Sequence, residues 1–286
     1  MSGVQGAAID NASGTLDVAA NREYAIGLAR AFGGALLFAL PILMTMETWF
    51  LGFTMDRYRL VVLMVALLPI LVGLAYYSGF EESTHLGDSI LDAFAAIAVT
   101  SVMATLILLL FGVIEAGASL NEWIGKIALQ AVPGSIGALL AQSQFGQSKE
   151  TSGKRRETHF GEYFLMCAGA LFLAANIAPT DEVIVIAQQM SPWRSVVLAL
   201  LSLALMHTFV YAAGFRGQHE RPQDRSFAAV FVKFSVIGYV LALAISAFIC
   251  WTFGRLDELS LEESLQHIIV LGFPAAVGAA SARLVL

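Results

Sequence analysis

Apolar residues in this chain come in long blocks, without the alternation of a half-buried strand or the single stripe of a surface helix. Eight blocks are long enough to cross a bilayer, which takes about 20 residues per helix. They cover about 27–53, 60–80, 90–114, 123–141, 161–190, 195–215, 227–253 and 265–286. The fourth is weaker because it holds Lys126, Gln130 and Pro133. The Pro and Gly content of the fourth and eighth leaves a re-entrant or interfacial path open as the alternative to a full crossing. The pattern predicts an all-α, polytopic transmembrane helix bundle of about eight spans.

Polar stretches divide the chain. Residues 1–22 are small, polar and slightly acidic, without the basic start and apolar core of a signal peptide, and are expected to be a flexible tail. Residues 142–158, ending in GKRRET, are the expected linker between a first four-helix unit, 23–141, and a second, 159–286. Lys and Arg mark orientation in short loops. One side collects Arg22, Lys149, Lys154, Arg155, Arg156, Arg216, Arg221 and Arg225, and the other Arg57, Arg59, Arg194 and Arg255. The richer side is expected in the cytoplasm, with both termini and the linker. The loop GFEESTHLGD has no Lys or Arg and does not add to this bias.

The blocks also resemble one another in order. Thr45, Glu47, Met55 and Arg59 fall on Thr180, Glu182, Met190 and Arg194 at one constant spacing, and YYSGF at 76–80 falls on YAAGF at 211–215. AFAAI at 93–97 resembles SFAAV at 226–230. PGSIGALLA at 133–141 matches PAAVGAASA at 274–282, which sets Glu122 on Glu263 and Lys126 on His267. An internal duplication is expected, as two four-helix parallel repeats. An even number of spans per unit gives both units one orientation, with a pseudo-two-fold axis along the membrane normal.

Within this frame a few residues could carry chemistry. An ionisable residue at a span centre costs about 2.5–3.5 kcal/mol on insertion scales, so it is a functional candidate. Glu47 and Glu182, with Asp181 beside the latter, are the candidate ion-binding acids. Pro41 and Pro179 lie shortly before them, and Pro133 and Pro274 inside the fourth and eighth spans; all four are candidate helix breaks. Proline removes a donor and frees a carbonyl. Freed carbonyls beside a carboxylate make a cation site, and Asn176, Thr45, Thr48 and Thr180 would add neutral oxygens. Two close acids could instead share a proton. The competing reading places the acids at the wet outer ends of long helices. Lys126 and His267 are candidate charge partners of the acids, or interfacial groups that snorkel. Arg59 and Arg194 are expected to anchor loops at the headgroups. The Gly-Ala-x-x-Ala runs at 137–141 and 278–282 put small residues on one face for close helix packing.

Composition narrows the classes. The chain is 58% hydrophobic and 13% charged, with a mean hydropathy of +0.74; soluble domains carry about 25% charged residues. A net charge of −6 argues against nucleic acid as a partner. Cys167 and Cys250 lie inside apolar blocks and read as core residues. HExxH, GxSxG and GxxxxGK[ST] are absent from the sequence, so neither enzyme activity nor a cofactor is expected, and any metal is unspecified.

In size, span layout and stretches such as ANIAPTDEV at 175–183 and the span before YAAGF, the chain resembles a family of bacterial integral membrane proteins known only as a domain of unknown function. The resemblance implies a multi-pass fold over most of the chain and brings no catalytic residues and no substrate. The paired acids are also similar in logic to duplicated cation exchangers, but the acid-plus-Gly-Asn or Gly-Asp motifs of those proteins are absent. The expected function is an inner-membrane ion channel or ion- or proton-coupled transporter. Its partners are the lipid bilayer and a small inorganic cation or proton, and a homo-oligomer is compatible with a bundle of this size. The alternative is a membrane scaffold or sensor subunit whose basic linker docks a cytoplasmic partner.

Overall fold

Each apolar block folds as helix because a chain in lipid must satisfy its backbone polar groups internally. The computed structural model describes residues 18–78, 86–115, 117–145, 159–213 and 231–285. The described residues hold ten α-helices, one π-helical segment and no strand. In order they are α1 Val18–Leu43, α2 Met46–Thr54, α3 Arg57–Ser78, α4 Leu86–Leu110 and α5 Leu120–Phe145. They continue with α6 His159–Ile177, α7 Glu182–Gln189, α8 Pro192–Ala213, the π segment Phe231–Val236, α9 Ile237–Thr252 and α10 Leu261–Val285. Eight stretches are long and apolar enough to cross a membrane: they lie in α1, α3, α4, α5, α6, α8 and α10, and across the end of the π segment and α9 at Phe234–Thr252. The 146–158 part of the expected linker, the first 17 residues of the expected tail and SFAAV at 226–230 lie outside the described residues.

The first and fifth blocks are interrupted beside Pro41 and Pro179, two of the candidate breaks. Neither is one long helix: α1 ends at Leu43 and α6 at Ile177, and a short helix of nine or eight residues follows each break. Pro179 ends the second of these itself, because a proline disfavours helical geometry at the residue before it. In the first, Pro41 is tolerated inside the last turn of α1, and the chain opens at Thr45 (φ −103°, ψ 115°). Conversely, Pro133 and Pro274 break nothing. α5 and α10 run through them for 26 and 25 residues as full-length spans. Both helices are the hubs against which the rest of their units pack, so tertiary contacts offset the hydrogen bond that each proline removes. At its start, α1 takes in residues 18–22, which were expected in the tail.

Caps fix the other ends. Asp56 Oδ1 accepts from Tyr58 N (2.8 Å) at the start of α3, and Pro192 occupies the first turn of α8, where its missing N–H costs nothing. Ser119-x-x-Glu122 and Ser260-x-x-Glu263 stand at the starts of α5 and α10. In each the glutamate N–H donates to the serine hydroxyl, at 3.2 and 3.3 Å. Ser260 N also donates to Glu263 Oε2 at 2.8 Å, which completes a capping box. Ser260→Ala is expected to cost about 1 kcal/mol, read as a lowered thermal midpoint in detergent. A midpoint equal to wild type would show that α10 does not depend on this cap.

Packing follows one scheme twice. α5 is the hub of the first unit and touches α1, α2, α3 and α4; α10 is the hub of the second and touches α6, α7, α8 and α9. The hub crossings rest on glycine. A Cβ at Gly34 would overlap Ala141 Cβ and the carbonyl of Gly137, and a Cβ at Gly169 would overlap the carbonyl of Gly278 and lie 2.7 Å from Ala282 Cβ. The turns before the hubs also agree, with left-handed glycines at Gly112 (φ 70°) and Gly254 (φ 72°).

The two units meet through one like pair of helices, α1 on α6, and otherwise through unlike ones. α1, α3 and α5 lie against α6, and α3 reaches α9. A pseudo-two-fold would also set α8 on α4, and α1 on both α8 and α10. Among the described residues these seams have no counterpart of comparable extent. Phe38 and Phe172 bridge the units with ring centroids 4.9 Å apart, beside an apolar cavity of about 220 Å³ between Leu74, Leu140 and Leu173.

Candidate functional site

The candidate acids all sit at one end of the bundle, past the apolar spans. Glu47 lies half-buried in the first turn of α2, and Glu182 lies exposed in the first turn of α7. The spans before them stop at Leu43 and Ile177. The sequence left both acids either inside longer spans or at the outer ends of the helices, because their flanks, WFLGF and VIVI, are apolar. In the fold those flanks belong to short helices laid on the hubs. Since α2 packs on α5 and α7 on α10, the two acids stand in separate units and do not form one pair. No group of three or more His, Cys, Asp or Glu able to hold a metal occurs among the described residues.

The breaks are closed by side chains. In the first unit, Thr45 Oγ1 donates to Pro41 O (2.5 Å), Trp49 Nε1 to Leu43 O (2.9 Å) and Gln130 Nε2 to Ile42 O (3.4 Å). In the second, Thr180 Oγ1 donates to Ile177 O (2.9 Å) and Asn176 Nδ2 to Phe172 O (2.9 Å). Arg255, from the turn before α10, donates Nε to Ala178 O (3.2 Å), Nη2 to Pro179 O, and Nη1 to Asp181 Oδ1 (3.3 Å). Thr45, Thr180 and Asn176 therefore spend their donors on the backbone, and Asp181 faces a guanidinium. The far ends of the short helices are held as well. Arg57 donates to Gly52 O (3.1 Å) and Phe53 O (3.3 Å), and Gln266 to Met190 O (3.3 Å). Three buried oxygens on residues around the breaks keep no partner among the described residues: Thr48 Oγ1, Gln130 Oε1 and Asn176 Oδ1.

The basic candidates stay within their own units. Lys126 is buried and gives Nζ to Glu122 (2.5 Å) and to Val113 O (2.7 Å), so it stitches α5 to the turn before it. His267 is buried, with Nδ1 2.9 Å from Glu263 O. Neither contacts Glu47 or Glu182. Arg59 departs from the expected headgroup anchor. It forks onto Asp257 at 2.7 and 2.8 Å and lies 5.5 Å from the Trp251 ring centre, joining the two units. Because Arg59 opens α3 and Asp257 precedes α10, this contact puts the break ends of both units on the same side of the bundle.

Sequence reasoning missed Arg255, Trp49, Arg57 and Gln266 as the groups that shape the breaks. One signal was present. FGRLDE at 253–258 resembles FGVIEA at 111–116, and an arginine stands where the first unit has Val113. No curated protein and no solved structure matches the chain. The family described as "Putative integral membrane protein (DUF2391)" matches residues 27–286, nearly the whole chain, which therefore belongs to that family of integral membrane proteins.

Proposed function

We propose that the protein moves protons, or small cations, across the bacterial inner membrane, with both termini in the cytoplasm and Glu47 and Glu182 as the groups that take the ion. One observation carries this reading: each unit ends its first span at the corresponding place and sets one acid just past it, in the first turn of a short helix on its hub. Two breaks of one kind with one acid each argue for a duplicated device, and the shared glycine crossings at Gly34 and Gly169 support the duplication itself. The basic residues on the terminal side support the orientation.

A proton suits these acids better than a metal ion. Hard cations collect several oxygens, about six or more for calcium or magnesium. The break carbonyls already accept from Thr45, Trp49, Thr180 and Arg255. Asp181 is paired with Arg255, so we assign it to the break and not to the ion. A lone carboxylate is a sufficient proton carrier and needs no further ligand.

The test is flux in liposomes under pH and voltage gradients, with proton, sodium, potassium and calcium read separately. Proton flux is expected in wild type, and Glu47→Gln/Glu182→Gln should reduce it about tenfold or more while thermal stability is kept. Equal flux in the folded double variant would remove the acids from the path. No flux for any ion would favour the scaffold reading, in which the 142–158 linker docks a cytoplasmic partner.

A further inference from the structure

The seam between the two units is made once in the chain, although the chain carries its parts twice except for Trp251, whose place is taken by Leu109. At the seam, Tyr58 and Arg59 at the start of α3 meet Trp251 and Asp257: the Tyr58 and Trp251 rings are edge-to-face at 6.5 Å, and Arg59 forks onto Asp257. YRLVVL at 58–63 recurs as WRSVVL at 193–198, so Trp193 and Arg194 stand at the start of α8 where Tyr58 and Arg59 stand on α3. FGVIE at 111–115 recurs as FGRLD at 253–257, with the same left-handed glycine, so Glu115 occupies the place of Asp257. The charges are kept, a cation on one face and an anion on the other.

Among the described residues the second set is open. Trp193 is 71% exposed, and Arg194 and Glu115 are exposed without an ion pair among the described residues. α8 shows the same vacancy, since 17% of its span is buried against 33% for its counterpart α3. A seam between unlike faces leaves one of each face free, and such contacts repeat until a ring closes.

We propose that a second copy of this chain completes the seam, with Trp193 and Arg194 of one copy seated on the Glu115 turn of the other. Two copies present two free faces of each kind, so a homodimer can close a ring of four units. Arg59 and Asp257 meet in a chain whose two break ends share one side of the bundle. Copies inserted with one topology therefore hold Arg194 and Glu115 at matching depth, and the membrane itself supplies the alignment. This inference rests on the correspondence of the two units and not on transport. An arginine and a tryptophan at a helix start can also serve as a headgroup anchor; the matching acid on the opposite free face favours a protein partner.

The test uses full-length chains in native membranes. One differently tagged chain carries Glu115→Cys and the other Arg194→Cys, and a short bis-maleimide is added. Crosslinked dimer is expected from the mixture and not from either variant alone. Arg59→Cys/Asp257→Cys within one chain reports the existing seam and should give an internally bridged monomer. That bridge without the intermolecular product would overturn the proposal, and so would an Arg194→Cys/Glu115→Cys chain that bridges only within itself. Loss of both products would overturn the proposal together with the seam it copies. In native mass measurements, Arg194→Glu should weaken the dimer about tenfold or more, and adding Glu115→Arg should restore it. A dimer indifferent to both changes would place the contact elsewhere.

Discussion

Gly169→Leu leaves no stably folded second unit. A Cβ at this position overlaps the carbonyl oxygen of Gly278 and comes within 2.7 Å of Ala282 Cβ, and the reverse substitution at Gly278 overlaps the carbonyl of Gly169. The obstacles include backbone, so no rotamer change relieves them and the helices must separate. The seam lost is that between α6 and the hub α10, one of the two most extensive in the molecule. In lipid, helix association depends on close van der Waals packing, because lipid tails are as apolar as the side chains. We expect a loss of at least about 3 kcal/mol, seen as failure to recover monodisperse protein in detergent or as collapse of the thermal midpoint. Gly34→Leu should act the same way on α1 and α5, where the clash is with Gly137 and Ala141. Gly33→Leu is the control. Nothing lies within 4 Å of its Cβ, and leucine is the better helix former, so stability should hold or rise. If Gly169→Leu and Gly33→Leu unfold alike, the crossing does not rest on glycine.

The same crossing shows what the sequence made legible. Gly34-Ala35-Leu36 and Gly169-Ala170-Leu171 share the spacing that relates Glu47 to Glu182, and Gly137 and Gly278 lie on the PGSIG and PAAVG register. Hydropathy alone located the eight spans, because a bilayer demands long apolar runs whatever the packing. It could not locate the breaks. The short helices α2 and α7 are themselves apolar where they lie on the hubs, so Glu47 and Glu182 looked like charges inside a continuous span. Proline was a partial guide: the chain breaks beside Pro41 and Pro179 but runs on as helix through Pro133 and Pro274, and burial does not separate the two cases, since Pro179 is buried and Pro274 is half-buried. The inter-unit contacts were the least legible. Arg59 and Asp257 are 198 residues apart, and hydropathy says nothing about which faces of two similar units meet. Even span counts suggested a two-fold, and among the described residues the contacts of α3 with α6 and α9 have no counterpart of comparable extent.

Arg255→Ala should open the second break. The guanidinium spreads three bonds over Ala178 O, Pro179 O and Asp181 Oδ1. Its side chain is 13% exposed, whereas that of Asp181 is 65% exposed. The ion pair is therefore the smaller part, under about 1 kcal/mol for a solvent-facing carboxylate. The larger part is the two carbonyls, left without a donor where the chain turns from α6 into α7. Hydrogen bonds to a charged group contribute about 1.5–3 kcal/mol, so Arg255→Ala is expected to cost about 2–3 kcal/mol, while Asp181→Asn costs a few tenths. Arg255→Lys should recover less than half of the loss, because one ammonium cannot serve three acceptors in a plane. The order of thermal midpoints, Asp181→Asn above Arg255→Lys above Arg255→Ala, checks the argument; a deficit as large in Asp181→Asn as in Arg255→Ala would make the ion pair the main contribution. The break also positions Glu182, which opens α7 directly after the clamped residues. If that acid carries protons, Arg255→Ala should lower flux per folded molecule below Asp181→Asn, even at a temperature where both variants remain folded. A clamp that served stability alone would leave the two fluxes equal.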